Sequence, residues 1–225
     1  MVYVYDPHTN LLLWEHDFGN QGKGESIFIR DLDDDGLPEL LVALDQRIIT
    51  YTYNDTDSSF NQARELEFTN LMDVKVTDLN GDGLEEIAVM HGAYLDYTLS
   101  IYDNSLAYIA SNHISHLFTS MHIEDFPGEN KNILLATVES SIAGFGSLEI
   151  HRLRALDPYT SAVIWSSLNL LGSVPEDSLS YTDIDGDAAK EMYFTTDKSI
   201  NVIYRSIKGL SFRIRMQIQS DETKQ

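Results

Sequence analysis

Asp31-Leu-Asp33-Asp-Asp35-Gly36-Leu-Pro-Glu39 is one of three nine-residue stretches that share an acidic skeleton, and it runs straight into the apolar segment Leu40-Leu41-Val42. The others are Asp78-Leu-Asn80-Gly-Asp82-Gly83-Leu-Glu-Glu86 and Asp183-Ile-Asp185-Gly-Asp187-Ala-Ala-Lys-Glu191. Oxygen donors at positions one, three, five and nine, around a flexible middle, suit a hard cation of the calcium type, which takes about six to eight oxygens. An EF-hand opens in the same way but needs a glutamate at position twelve and a helix on each side. Position twelve here is Val42, Val89 or Phe194, inside a short β-prone run, which excludes an EF-hand. The acidic residue at position nine is therefore placed at the start of a strand, with each loop joining two strands. Asp and Gly clusters also form ordinary turns through side-chain hydrogen bonds, the alternative to metal binding.

A second landmark appears when the chain is laid against itself. An apolar strand closes on Asp or Asn at Asp6, Asn54, Asp103 and Asp157, at intervals of 48, 49 and 54 residues. Two of these copies are close: Asp6-Pro7-His-Thr9 leading to Trp14, and Asp157-Pro158-Tyr-Thr160 leading to Trp165. Both read as strand, Asp-Pro turn, strand. One repeat thus holds four short strands, and a unit of roughly 40 to 50 residues with four strands is the period of a β-propeller blade. The expected strands are 26–30, 39–44, 47–53 and 63–68, then 73–77, 86–90, 98–102 and 106–111. The third set is 118–123, 132–138, 148–156 and 162–167, and the fourth 179–182, 191–195, 200–204 and 210–216. Residues 2–18 match the last two strands of an earlier blade.

The expectation is an all-β chain: four full blades at about 24–70, 71–113, 114–170 and 176–218, a half blade at 1–18, and a polar tail at 220–225. A half blade leaves open sheet edges, so the remaining blades of a larger ring, of about seven blades, or a partner chain are expected there.

These loops, each between the first and second strands of a blade, resemble the FG-GAP/VCBS repeats of integrin-α-like propellers. The resemblance covers nearly the whole chain, in three good copies and one poor one. It implies up to three structural calcium ions, held by side chains at positions one, three, five and nine and a carbonyl at position seven. In this sequence those are Asp31, Asp33, Asp35, Glu39 and the Leu37 carbonyl; Asp78, Asn80, Asp82, Glu86 and that of Leu84; and Asp183, Asp185, Asp187, Glu191 and that of Ala189. Ala188 stands where position six carries glycine, and residues 124–132 lack carboxylates at the required spacing, so the third blade is expected to bind no metal.

Composition bounds the function. The 225 residues carry 36 Asp and Glu against 15 Lys and Arg, a formal charge of -21, which argues against nucleic acid or anionic lipid as partner. Thirteen of those acids fall within the three loops, where a bound cation would relieve their repulsion. With no cysteine there is neither disulfide nor thiolate site, and no apolar run is long enough for membrane insertion as a helix. The first residues lack the basic and apolar regions of a signal peptide.

Weaker patterns are set aside. His113, His116 and His122 straddle an outer strand and the next inner one, a poor geometry for zinc. Residues 19–26 lack the spacing and following helix of a phosphate loop, and Asn54-Asp-Thr56 is a glycosylation sequon relevant only in a eukaryotic secretory setting. No catalytic residue stands out. The expected function is a non-catalytic, calcium-stabilised module for protein or glycan binding or adhesion, placed extracellularly, at the cell surface or in the periplasm. The alternatives are the propeller of a lyase-like polysaccharide enzyme or of a quinoprotein-like dehydrogenase. The latter is disfavoured because the Trp motif occurs in two units alone, at Trp14 and Trp165.

Overall fold

Every regular element in the computed structural model is a β-strand; the structure describes residues 1–20, 22–93, 96–115, 117–124, 132–142, 147–160, 162–170, 172–175, 178–184, 186, 190–203 and 213–217. Strands β1 (Val2–Tyr5) and β2 (Leu12–His16) form a two-stranded sheet. A four-stranded sheet follows from β3 (Gly24–Arg30), β4 (Glu39–Leu44), β5 (Arg47–Asn54) and β6 (Ser59–Glu67). The next contains β7 (Leu71–Thr77), β8 (Glu86–Ala93), β9 (Asp96–Tyr102) and β10 (Tyr108–Ile114). Another joins β11 (Leu117–Glu124), β12 (Asn132–Ile142), β13 (Ser147–Leu156) and β14 (Val163–Ser166). The last joins β15 (Leu179–Thr182), β16 (Glu191–Thr195), β17 (Ser199–Ile203) and β18 (Arg213–Gln217). In each sheet sequential strands are neighbours, so the four full units and the two-stranded remainder expected from the repeat are present.

The chain divides into two compact units, Met1–His113 and Ile114–Gln225. In the first, β4 explains the layering. All six of its residues are buried, the mark of a strand covered on both faces. Leu41 and Ala43 join a cluster with Val74, Val76, Ile87 and Val89 of the following sheet. Leu40, Val42 and Leu44 point the other way, into a cluster with Phe18, Tyr51 and Phe60 against which Val2, Val4 and Trp14 pack. Period-two alternation thus divides one strand between two cores. Trp14 meets Tyr51 and Phe60 edge-on, with ring centroids 5.2 and 5.7 Å away, a favoured aromatic geometry. The second unit has its own cluster, in which Leu153 and Ala155 of β13 pack with Met192 and Phe194 of β16.

The Asp and Asn landmarks turn out to be turn caps. Asp6 Oδ1 accepts the N–H groups of His8 and Thr9, at 2.7 and 3.0 Å. Asp157 Oδ1 accepts those of Tyr159 and Thr160 and the Thr160 hydroxyl. Asn54 Oδ1 accepts from Thr56, and Asp103 Oδ1 from Ser105 and Ala107. A short polar side chain that reaches its own backbone two residues on is what such a turn needs. Burial pushes the Asp157 carboxyl up, but its hydrogen bonds outweigh that and hold it below the ordinary value.

Several strands start one to four residues from the expected positions, and in two of them a capped turn is the reason. The expected 106–111 begins at Tyr108, because residues 103–107 close the capped turn with Leu106 at a φ of 60°. The expected 63–68 begins earlier, at Ser59, because the turn after Asn54 is complete by Ser58, at a φ of 56°. The polar tail, most of 124–132 and His116 lie outside the described residues. No helix among the described residues is long and apolar enough to cross a membrane.

Candidate metal centre

Each acidic stretch lies where the repeat places it, between the first and second strands of a sheet: 31–39 between β3 and β4, 78–86 between β7 and β8, and 183–191 between β15 and β16. One contact recurs in all three. The position-nine glutamate, first residue of the second strand, accepts through Oε2 the N–H of position two: Glu39 from Leu32 at 2.8 Å, Glu86 from Leu79 at 2.7 Å, Glu191 from Ile184 at 2.8 Å. All three glutamates are buried. Each carboxylate therefore closes its loop with one oxygen.

The remaining acids organise the loop backbone. In 31–39, Asp31 accepts the N–H groups of Asp35 and Gly36 through its two oxygens, and Asp35 accepts that of Leu37 at 2.7 Å. In 78–86, Asp78 accepts from Gly81 and Gly83, Asn80 from Asp82, and Asp82 from Leu84. In 183–191, Asp183 accepts from Gly186 at 2.6 Å. Positions four and six both take left-handed backbone: φ is 60° at Asp34 and 87° at Gly36, and 80° at Gly81 and 92° at Gly83. Position four of the last loop, Gly186, has a φ of 82°. Glycine enters this region freely and Asp tolerates it. The sequence reading attended to position six and missed position four, although glycine occupies it in two copies of three. Asp185, Asp187 and Ala189 lie outside the described residues, so the last loop is placed through Asp183 and Glu191 alone.

The first two loops differ in charge. Ligand oxygens of Asp31, Asp33 and Glu39 all lie within 4.8 Å of one another, the one such group of acids and histidines among the described residues. Burial pushes the Glu39 carboxyl above its ordinary value; the Leu32 N–H opposes that, and the charges of Asp33, Asp35 and Asp31 add to it. These are hard, mutually repelling oxygens at the span of a single ion, a donor set that fits calcium. In the second loop the Asn80 side-chain amide donates to Asp82 Oδ2 at 2.9 Å and to Glu86 Oε1 at 2.8 Å. Glu86 is also pushed up, by burial first. Arg30, at the end of β3, pairs with Glu85 Oε1 at 3.1 Å, bringing a cation to the rim of that loop. This loop is thus partly neutralised by the protein's own groups.

The histidines form no joint site on the described side chains. His113 Nδ1 lies 3.2 Å from an Asp96 oxygen and His122 Nε2 3.3 Å from the Ser120 hydroxyl.

A family model described as an FG-GAP-like repeat matches residues 31–89. Residues 31–89 are thus similar to an FG-GAP-like repeat. That match spans loops 31–39 and 78–86 with strands β4 to β7 between them. No curated protein matches the chain by sequence. Among solved structures, BBS1N in complex with ARL6DN is 15% identical, with a TM-score of 0.54, over 86% of this chain and 54% of that one. The Dos1 propeller is 11% identical, with a TM-score of 0.56, over 98% of this chain and 54% of that one. A rhamnogalacturonan lyase of Bacillus licheniformis is 14% identical, with a TM-score of 0.50, over 79% of this chain and 40% of that one. At such identities the likeness establishes the fold alone: four-stranded blades of β-propeller type. The chain spans about half the length of the propellers it matches.

Glu39 sets a pH dependence whose sign can be worked out. Its carboxyl titrates higher folded than unfolded, so its contribution favours the folded state below the ordinary carboxylate value and is lost as pH rises through the raised one. In chelator, Glu39→Gln, whose amide oxygen can still accept the Leu32 N–H, should melt above wild type at pH 8, with the gap closing toward pH 5. Calcium should reverse the order at pH 8. Thermal melts across that range read both, and a gap that does not change with pH contradicts the assignment.

Proposed function

We propose that the chain is a non-catalytic, calcium-stabilised β-propeller module that works extracellularly, at the cell surface or in the periplasm, where it presents a rigid surface for protein or glycan binding or adhesion. The convergence of Asp31, Asp33 and Glu39 oxygens within 4.8 Å carries the calcium part. The Leu37 carbonyl and Asp35 would complete this set, and loops 78–86 and 183–191 would hold two further structural ions. Bound calcium supplies charge neutralisation. The protein supplies the closed loop, through the glutamate contact, and the strands it joins. Compartments outside the cytosol hold calcium at the millimolar levels that such short loops need.

The non-catalytic part rests on site chemistry, because a propeller hosts many activities. Asp31, Asp35, Asp78, Asp82 and Asp183 accept backbone N–H groups of their own loops, and Glu39, Glu86 and Glu191 close the loops, which are structural duties. BBS1N was solved with a partner protein, ARL6DN. By analogy with it, binding of a macromolecule is the kind of function we assign.

A larger ring is also part of the proposal. Tyr3 and Tyr5 on β1 and Ile27 and Ile29 on β3 are about half exposed, and β1 is paired with β2 alone among the described residues. Two more strands from the remaining blades, or from a partner chain, would cover them. The 225-residue chain should accordingly bind a hydrophobic dye at these faces, and replacing Ile27 and Ile29 with serine should lower that binding; absence of dye binding counts against the larger ring.

Adding calcium to a chelator-treated sample should raise the melting temperature. The stabilisation should reach about 2.7 kcal/mol at a hundred times the dissociation constant for one site. An unchanged midpoint defeats the calcium reading. Incubation with acidic polysaccharides, with and without calcium, should yield no cleavage, and turnover in either condition overturns the non-enzymatic assignment.

A further inference from the structure

Leu32, the second residue of loop 31–39, sits between the two carboxylates Asp31 and Asp33 and is held on three sides. Its N–H is accepted by Glu39 of its own sheet at 2.8 Å. Its carbonyl accepts a hydrogen bond from Asn104 Nδ2, at 3.0 Å, and Asn104 belongs to the turn between β9 and β10 of the next sheet. Its side chain, 2% exposed, packs in the cluster that also contains Val74, Val76 and Leu106 of that sheet. The turn that delivers Asn104 is itself fixed. Asp103 Oδ1 accepts the N–H groups of Ser105 and Ala107 and the Ser105 hydroxyl, each at 2.8 Å, while Leu106 anchors the turn in the core.

We propose that Asn104 is a positioning residue for the cation loop of the neighbouring sheet: by holding the Leu32 carbonyl it sets the Leu32–Asp33 peptide, next to the Asp31–Leu32 peptide that Glu39 holds. The inference rests on the calcium reading of loop 31–39. The Asp31–Leu32 peptide is held at its N–H and the Leu32–Asp33 peptide at its C=O, so the backbone on either side of Leu32 is restrained and the flanking carboxylates start from defined Cα positions. Less ordering is then left to be done when an ion binds. The clamp crosses from one sheet to the next, so ion binding and the packing of the two sheets are linked. By reciprocity, whatever Asn104 adds to ion affinity, the ion adds to the hold of Asn104 on the loop.

The test uses the full chain carrying Asp78→Ala and Asp183→Ala, so that calcium titration by calorimetry reports loop 31–39. Adding Asn104→Ala should weaken calcium binding roughly fivefold, the loss of one neutral hydrogen bond. Adding Ser105→Ala, which loosens the same turn without touching Leu32, should change it less than twofold. Equal effects of the two substitutions, or no effect of Asn104→Ala, would overturn the proposal. If the Asn104→Ala chain does not fold, the wild-type side-chain amide resonances of Asn104 serve instead: they should shift as calcium is added, and resonances unmoved at saturation overturn it. Failure of wild type and parent alike to bind calcium sinks the calcium reading itself, a result separate from loss of the Asn104 effect in a chain that does bind.

Discussion

A buried carboxylate that reaches back seven residues to a backbone N–H is the contact on which the repeat depends. Glu39, Glu86 and Glu191 each begin a second strand and close the loop before it, with distances between 2.7 and 2.8 Å. The contact sets where the first strand ends and the second begins, and with that the register of the inner hairpin. It also places a charge where burial is unfavourable, as the raised Glu39 and Glu86 carboxyls record. A buried carboxylate is tolerated when its oxygens are satisfied. One oxygen of each is satisfied by the backbone of its own loop, and in the second loop the other, Glu86 Oε1, accepts from the Asn80 amide. Glutamate at position nine has the reach to meet position two from the start of the strand.

Much of this was legible in the sequence because it is written in local chemistry. The strand bounds 39–44 and 191–195 were readable to the residue, since an acidic turn gives way abruptly there to an apolar run. The Asp6, Asn54, Asp103 and Asp157 landmarks were visible as a period before their capping role was known. Other features depend on spatial neighbours and leave no local trace. Nothing in residues 103–107 announces that Asn104 will lie on Leu32, 72 positions earlier. The Asn80 amide between two carboxylates could not be told from a ligand oxygen at position three, because asparagine offers both a donor and an acceptor. Left-handed backbone at Asp34 was hidden because aspartate, unlike glycine, does not advertise it.

The loops do not share one design. In 31–39, among the described residues, no cationic or amide side chain is bonded to the acids, and the charges of Asp33, Asp35 and Asp31 add to the upward push on Glu39. In 78–86 an asparagine amide and Arg30 take part of that load. A single consensus thus covers a loop whose carboxylates converge on one another and one whose carboxylates are met by an asparagine amide and an arginine.

The double-sided strand β4 has a mechanical consequence. Its alternate residues belong to two separate clusters, so loosening the strand at one face removes support from the other. Neighbouring sheets of the first unit then behave as links in a one-dimensional chain, each stabilised chiefly by the next, as in stacked repeat proteins. Strain introduced at one sheet travels by passing through shared strands. The unit would therefore yield to heat or force as a run of adjoining sheets, spreading from whichever end of the stack has the fewest neighbours.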